Sequence, residues 1–91
     1  EALELAAAGF LPGGSRRNYD DVQADVRWDA GLSETERLLL CDAQTSGGLL
    51  MAVPPARLPE LLSGLEHAGT LAAAEIGELY DGPAGRITVD R

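Results

Sequence analysis

Lysine is absent from the sequence, and all seven basic residues are arginine. This excludes Schiff-base chemistry and the phosphate-gripping lysine of a P-loop from anything the segment does by itself. Cysteine and histidine occur once each, as Cys41 and His67. No internal disulfide can form, a usage that fits a reducing, cytoplasmic setting. A zinc site would need carboxylates for its remaining ligands, an uncommon choice for that metal. A serine triad would have only His67 to draw on. No apolar run approaches the roughly 18 residues of a membrane-spanning helix, and no basic, then apolar, leader opens the chain.

What is present is a chain of 91 residues, 45% of them apolar, with a net charge of −8. That length makes one domain, 1–91, and a domain of this size buries only about 60–65% of its unfolded surface. The charge is unevenly placed. Glu1 and Glu4 balance Arg16 and Arg17 in residues 1–18, whereas residues 19–91 hold thirteen acids against five arginines. A body this acidic, with no basic stripe, does not attract a nucleic-acid backbone.

Local patterns predict an α+β domain. Glu1-Ala-Leu-Glu-Leu-Ala-Ala-Ala8 is helix-forming without a start signal, and Gly9 is a natural stop. A helix that opens in mid-element suggests a piece, truncated at its N-terminus, of something longer. Ser15 reads as the N-cap of a helix through Val22, and Val26-Arg-Trp28 as a short strand. Ser33 and Glu36 form a capping box that starts a helix through Leu40. Leu49-Leu-Met-Ala-Val53 predicts a central strand covered on both faces. Leu58, Leu61, Leu62 and Leu65 make one buried helical stripe, with Pro59 in the first turn and Gly69 as the stop. Ala72–Tyr80 and Arg86–Val89 predict a hairpin through the Asp81–Gly85 turn, with Gly77 as a possible bulge. The expected sheet is mixed and largely antiparallel, with helices packed on it.

Two polar bends are the candidate chemistry. In the first, Asp42, Gln44, Thr45, Ser46, Gly47 and Gly48 combine rotatable donors with glycines that permit positive φ and an anion-binding nest of amides. The same residue types also build ordinary turns, and Asp42 could cap the turn or help hold a metal. In the second, Gly13, Gly14, Ser15, Arg16, Arg17 and Asn18 place two arginines in a helix's first turn, where the dipole is already positive. An anion would relieve that conflict, with the free amides of the helix start as further donors. So would surface pairing with Asp20 and Asp21, at about 0.3–0.5 kcal/mol per pair. Asp20, Asp21, Asp25 and Asp29 match no calcium loop and read as a solvated acidic face. Cys41 reads as a small packing residue. Trp28 reads as a core or domain-contact residue, and His67 as a helix-end cation with no catalytic role.

Taken together, Pro12–Asn18, Gly31–Glu34, Leu38–Leu40 and Asp42–Leu50 resemble the C-terminal domain of the selenophosphate synthetases, also called selenide, water dikinases. Ala74–Glu78 and Gly85–Ile87 extend the resemblance over nearly the whole chain. The specific motif is the second bend, which in the family usually reads Asp-Pro-Gln-Thr-Ser-Gly-Gly-Leu-Leu. Here Ala43 replaces the proline, which loosens the turn and removes no polar contact.

The resemblance implies membership of the superfamily that includes aminoimidazole ribonucleotide synthetase and a hydrogenase-maturation protein. It implies an α+β C-terminal domain packed against an N-terminal domain that dimerises and holds ATP. The implied reaction converts ATP, selenide and water to selenophosphate, AMP and orthophosphate with magnesium, and the product supplies selenium for selenocysteine and for modified tRNA. It further implies that the reactive cysteine or selenocysteine, its lysine and most metal-binding aspartates lie outside this chain, so no catalytic residue and no metal ligand is expected within it. Cys41 does not match the family's reactive cysteine. The two bends are then expected to wall a phosphate cleft, in a cytoplasmic homodimer that contacts neither nucleic acid nor membrane. The segment alone is expected neither to bind ATP tightly nor to turn it over. Two other readings stay open: another member of the superfamily, or an interaction module without chemistry.

Overall fold

The computed structural model describes residues 1–91. It divides into two compact units, one made of Glu1–Gly47 with Gly82–Arg91, the other of Gly48–Asp81. The element set is α+β: four helices and one small sheet.

The first unit holds α1 (Ala2–Ala7), α2 (Gly13–Val22), β1 (Val26–Trp28), α3 (Glu34–Leu40) and β2 (Ile87–Val89). Helix α1 has six residues and no side-chain cap, too short to persist in water on propensity alone. Packing against α3 holds it, and Gly9, at φ 90°, ends it. Helix α3 starts as the sequence predicts: the Ser33 hydroxyl accepts from the Glu36 amide, and the Glu36 carboxylate accepts from the Ser33 amide at 2.8 Å. This reciprocal arrangement satisfies two of the amides that every helix start leaves free. Leu38 on α3, Ala6 on α1 and Leu32 before α3 are the buried apolar residues. A fully buried leucine contributes roughly 1.5–3 kcal/mol, so this core is a small one.

The start of α2 differs from expectation. The helix begins three residues earlier, at Gly13, with extended Pro12 and not Ser15 as N-cap, and the Ser15 amide donates to the Pro12 carbonyl at 3.1 Å. Ser15 is therefore the third helical residue and not the cap; its hydroxyl is engaged by a distant partner. Arg16 and Arg17 accordingly fall at the fourth and fifth positions, beyond the first turn.

The sheet also differs. It is two-stranded and parallel, not largely antiparallel, with Val26 opposite Ile87, Arg27 opposite Thr88 and Trp28 opposite Val89. The Asp29 amide donates to the Val89 carbonyl at 2.8 Å, and the Ile87 amide to the Asp25 carbonyl at 3.0 Å. Arg86 fixes this pairing by donating to the Ala24 carbonyl and meeting Asp25 at 3.3 Å. The predicted hairpin is thus replaced by a long-range pairing. Ala72–Tyr80 forms no strand, so Gly77 marks no bulge.

In the second unit a 3₁₀ turn (Pro55–Arg57) leads into α4 (Leu58–His67). Pro59 lies in the first turn as expected, where its missing N–H costs nothing. Arg57 pairs with Glu60 at 2.9 Å, and Gly69, at φ 73°, ends the helix. The leucine stripe is half-buried and not fully so. Leu49–Val53 is no strand either: Leu49 and Leu50 are more than 80% exposed. A strand exists only through a hydrogen-bonded neighbour, and these residues have none. No helix is long and apolar enough to cross a membrane.

Candidate functional site

The two polar bends of the first unit meet. Ser15, on the inner face of α2, has no exposed surface. Its hydroxyl donates to Asp42 Oδ1 at 2.6 Å and accepts from the Ala43 amide at 3.2 Å. One turn along the same face, Asn18 Nδ2 donates to the Cys41 carbonyl at 3.1 Å. Residues three apart share a helix face, so Ser15 and Asn18 grip three consecutive residues, Cys41 to Ala43. Gly14 completes the junction: a Cβ there would lie 3.1 Å from the Ala43 Cβ, closer than ordinary carbon contact. Here glycine serves close approach and not backbone freedom.

The arginines divide. Arg16 reaches Glu34 at the start of α3, with Nη1 3.5 Å from the carboxylate and both side chains more than half exposed. That pair links two helix starts and, being exposed, is weak. Pairing with Asp20 or Asp21 does not occur, and nothing in local spacing signals a partner eighteen residues away. Arg17 has no carboxylate within salt-bridge distance. Its Nη1 lies 3.8 Å from where a Gly13 Cβ would sit, so the guanidinium folds back over the first residue of α2. A cation beside free helix-start amides makes a surface suited to negative oxygen.

The rest of the second bend is exposed from Ala43 onward. Gln44 folds across Gly47, where a Cβ would meet Gln44 Oε1 at 2.5 Å. Gly47 and Gly48 do not have positive φ; only Gly9, Gly69 and Gly85 do. The alternating right- and left-handed backbone of an anion nest is therefore not built on these two glycines. Thr45 and Ser46 present their hydroxyls on the surface, and Gly48 opens the second unit.

The remaining candidates have local roles. Asp29 accepts from the Gly31 amide at 2.6 Å, and Asp25 belongs to the Arg86 anchor. No group of three or more His, Cys, Asp or Glu side chains converges anywhere. Cys41 is half-buried, and burial pushes its thiol up from the ordinary cysteine value. The hydrogen bond from the Ser33 amide, then that from the Ser33 hydroxyl, hold the Glu36 carboxyl below the usual carboxylate range. His67 Nδ1–H donates to the Ser63 carbonyl at 2.7 Å, closing its own helix turn. Trp28 is half-buried beside Tyr19, with ring centroids 6.0 Å apart and planes tilted by 41°.

No protein-family model and no solved structure matches the chain. Curated relatives do. The selenide, water dikinase of Pelobacter propionicus is 43% identical over 90 residues, 99% of this chain and 26% of that protein. That of Myxococcus xanthus is 44% identical over 85 residues, 93% of this chain and 24% of its own length. That of Carboxydothermus hydrogenoformans is 41% identical over 90 residues, 99% of this chain and 26% of its own. The chain thus spans about a quarter of the length of the curated relatives it matches. Identity near 40% over nearly every residue makes this chain homologous to a segment of selenide, water dikinase.

Proposed function

We propose that the chain is the C-terminal-domain segment of a selenide, water dikinase, in which the junction of Gly13–Asn18 with Asp42–Gly47 walls the cleft that receives the phosphates of ATP. The observation that carries this reading is the meeting of the two bends beside Arg17, a guanidinium with no carboxylate partner. Homology to the dikinases supplies the substrate class. In the whole enzyme ATP, selenide and water become selenophosphate, AMP and orthophosphate. The partner of this segment is the ATP-holding N-terminal domain, within a cytoplasmic homodimer.

The residues present suit phosphate. Free amides at Gly13 and Gly14, Arg17, and the Thr45 and Ser46 hydroxyls are all donors, and donors fixed in place stabilise the charge on a transferring phosphoryl group. They do not suit magnesium. Oδ1 of Asp42 is engaged by Ser15, and no second carboxylate converges on it. In this reading magnesium and the reactive cysteine or selenocysteine are supplied by the rest of the enzyme, and the segment alone is inactive.

The test is the Arg16→Ala/Arg17→Ala variant of the full-length protein that carries this segment. A charged hydrogen bond lost at a reacting phosphate lowers turnover by about tenfold to a hundredfold. Selenophosphate formation should fall by that much while the melting temperature stays within about 3 °C, because neither side chain is buried. Unchanged turnover removes the proposal.

A further inference from the structure

We infer that Ser15 and Asp42 form a latch that positions the Gln44–Gly47 loop for its ligand, with Asp42 serving as a hydrogen-bond acceptor and not as a metal ligand or proton-transfer group. Ser15 is the one fully buried polar side chain in the chain. A hydroxyl has one proton and two lone pairs; here the proton goes to Asp42 Oδ1 and one lone pair takes the Ala43 amide. That geometry fixes two consecutive residues against a helix at a single point. The bond from Asn18 to the Cys41 carbonyl fixes a third, and the contact of Gly14 with Ala43 limits how far the strand of chain can slide. Gln44 to Gly47 are all exposed, so the position of Thr45 and Ser46 is inherited from the latch. Asparagine at position 42 would offer Oδ1 to the same donor. The latch therefore requires the oxygen and not the charge.

The inference rests on the reading of the junction as a phosphate wall, and the experiment separates the two. Ser15→Ala, Asp42→Ala, Asp42→Asn, Asn18→Ala and Arg17→Ala are made in the full-length protein that carries this segment. Each is measured by amide hydrogen exchange over residues 42–47 and by calorimetric affinity for a non-hydrolysable magnesium–ATP analogue. The latch predicts faster exchange confined to 42–47 in Ser15→Ala and Asp42→Ala, with affinity weakened about tenfold. It predicts values within about threefold of the wild type for Asp42→Asn. Asp42→Asn behaving like Asp42→Ala overturns the inference, because charge would then be what matters. Unchanged exchange in Ser15→Ala overturns it as well. Should Ser15→Ala not fold, Asn18→Ala at its exposed site carries the same test: faster exchange over 42–47 supports the latch, and wild-type exchange overturns it. If Arg17→Ala weakens binding while the Ser15 and Asp42 variants do not, the latch falls and the phosphate wall stands. If Ser15→Ala loosens the loop but neither it nor Arg17→Ala alters affinity, the phosphate wall falls, and with it the positioning role.

Discussion

Gly13 and Gly14 sit side by side at the start of α2, yet a methyl group would meet different surroundings at each. At Gly13 it would find only Arg17 Nη1, at 3.8 Å; at Gly14 it would press on Ala43 Cβ at 3.1 Å. Both backbones have ordinary negative φ, so both accept alanine's geometry and gain its helix propensity. The difference between the two variants therefore isolates the contact. Overpacking a closed contact costs roughly 1–3 kcal/mol, and Gly14→Ala should be less stable than Gly13→Ala by about 1–2 kcal/mol in denaturant melts. Equal stabilities would show that helix and loop are not in contact there. At this scale the sequence singles out residues whose partners it conceals. Ser15 looks like a helix cap because serine usually is one. Its actual acceptor lies 27 residues away, beyond the reach of any local rule. Glu34 as the partner of Arg16 is hidden for the same reason.

At the scale of elements, local chemistry and tertiary pairing contribute unequally. The α3 capping box is wholly local and was legible from Ser33 and Glu36 alone. Because the folded carboxyl of Glu36 is held below its unfolded value, its contribution is fully present above the ordinary glutamate range, about pH 4.3. It is lost as pH falls through the lower, folded value. Glu36→Gln keeps an acceptor and removes the titration. The wild type should therefore lose stability relative to Glu36→Gln as pH falls from about 6 to about 3; a constant difference would mean that the box does not form. Strand pairing was not legible. Alternation and apolar runs show that a segment wants cover but not which partner supplies it. Leu49–Val53 and Ala72–Tyr80 have strand composition without a ladder, while β1 finds β2 about sixty residues away. Arg86, reaching Ala24 and Asp25, sets that register, and an isolated arginine carries no such signal in sequence.

For the molecule as a whole, the buried apolar set is Ala6, Leu32 and Leu38, while Leu71, Leu79 and Ile76 are almost fully exposed. The chain spans about a quarter of the length of the curated dikinases it matches, so the proposed phosphate wall is tested in a full-length protein of that kind. The central claim is that Gly13, Gly14 and Arg17, beside the loop held by Ser15, face phosphate oxygens there. A crystal structure of the full-length protein with magnesium and a non-hydrolysable ATP analogue tests it most directly. The account predicts phosphate oxygens within hydrogen-bond distance of the Gly13 or Gly14 amide and of the Arg17 guanidinium. Phosphates bound elsewhere, with Arg17 turned to solvent, would contradict it.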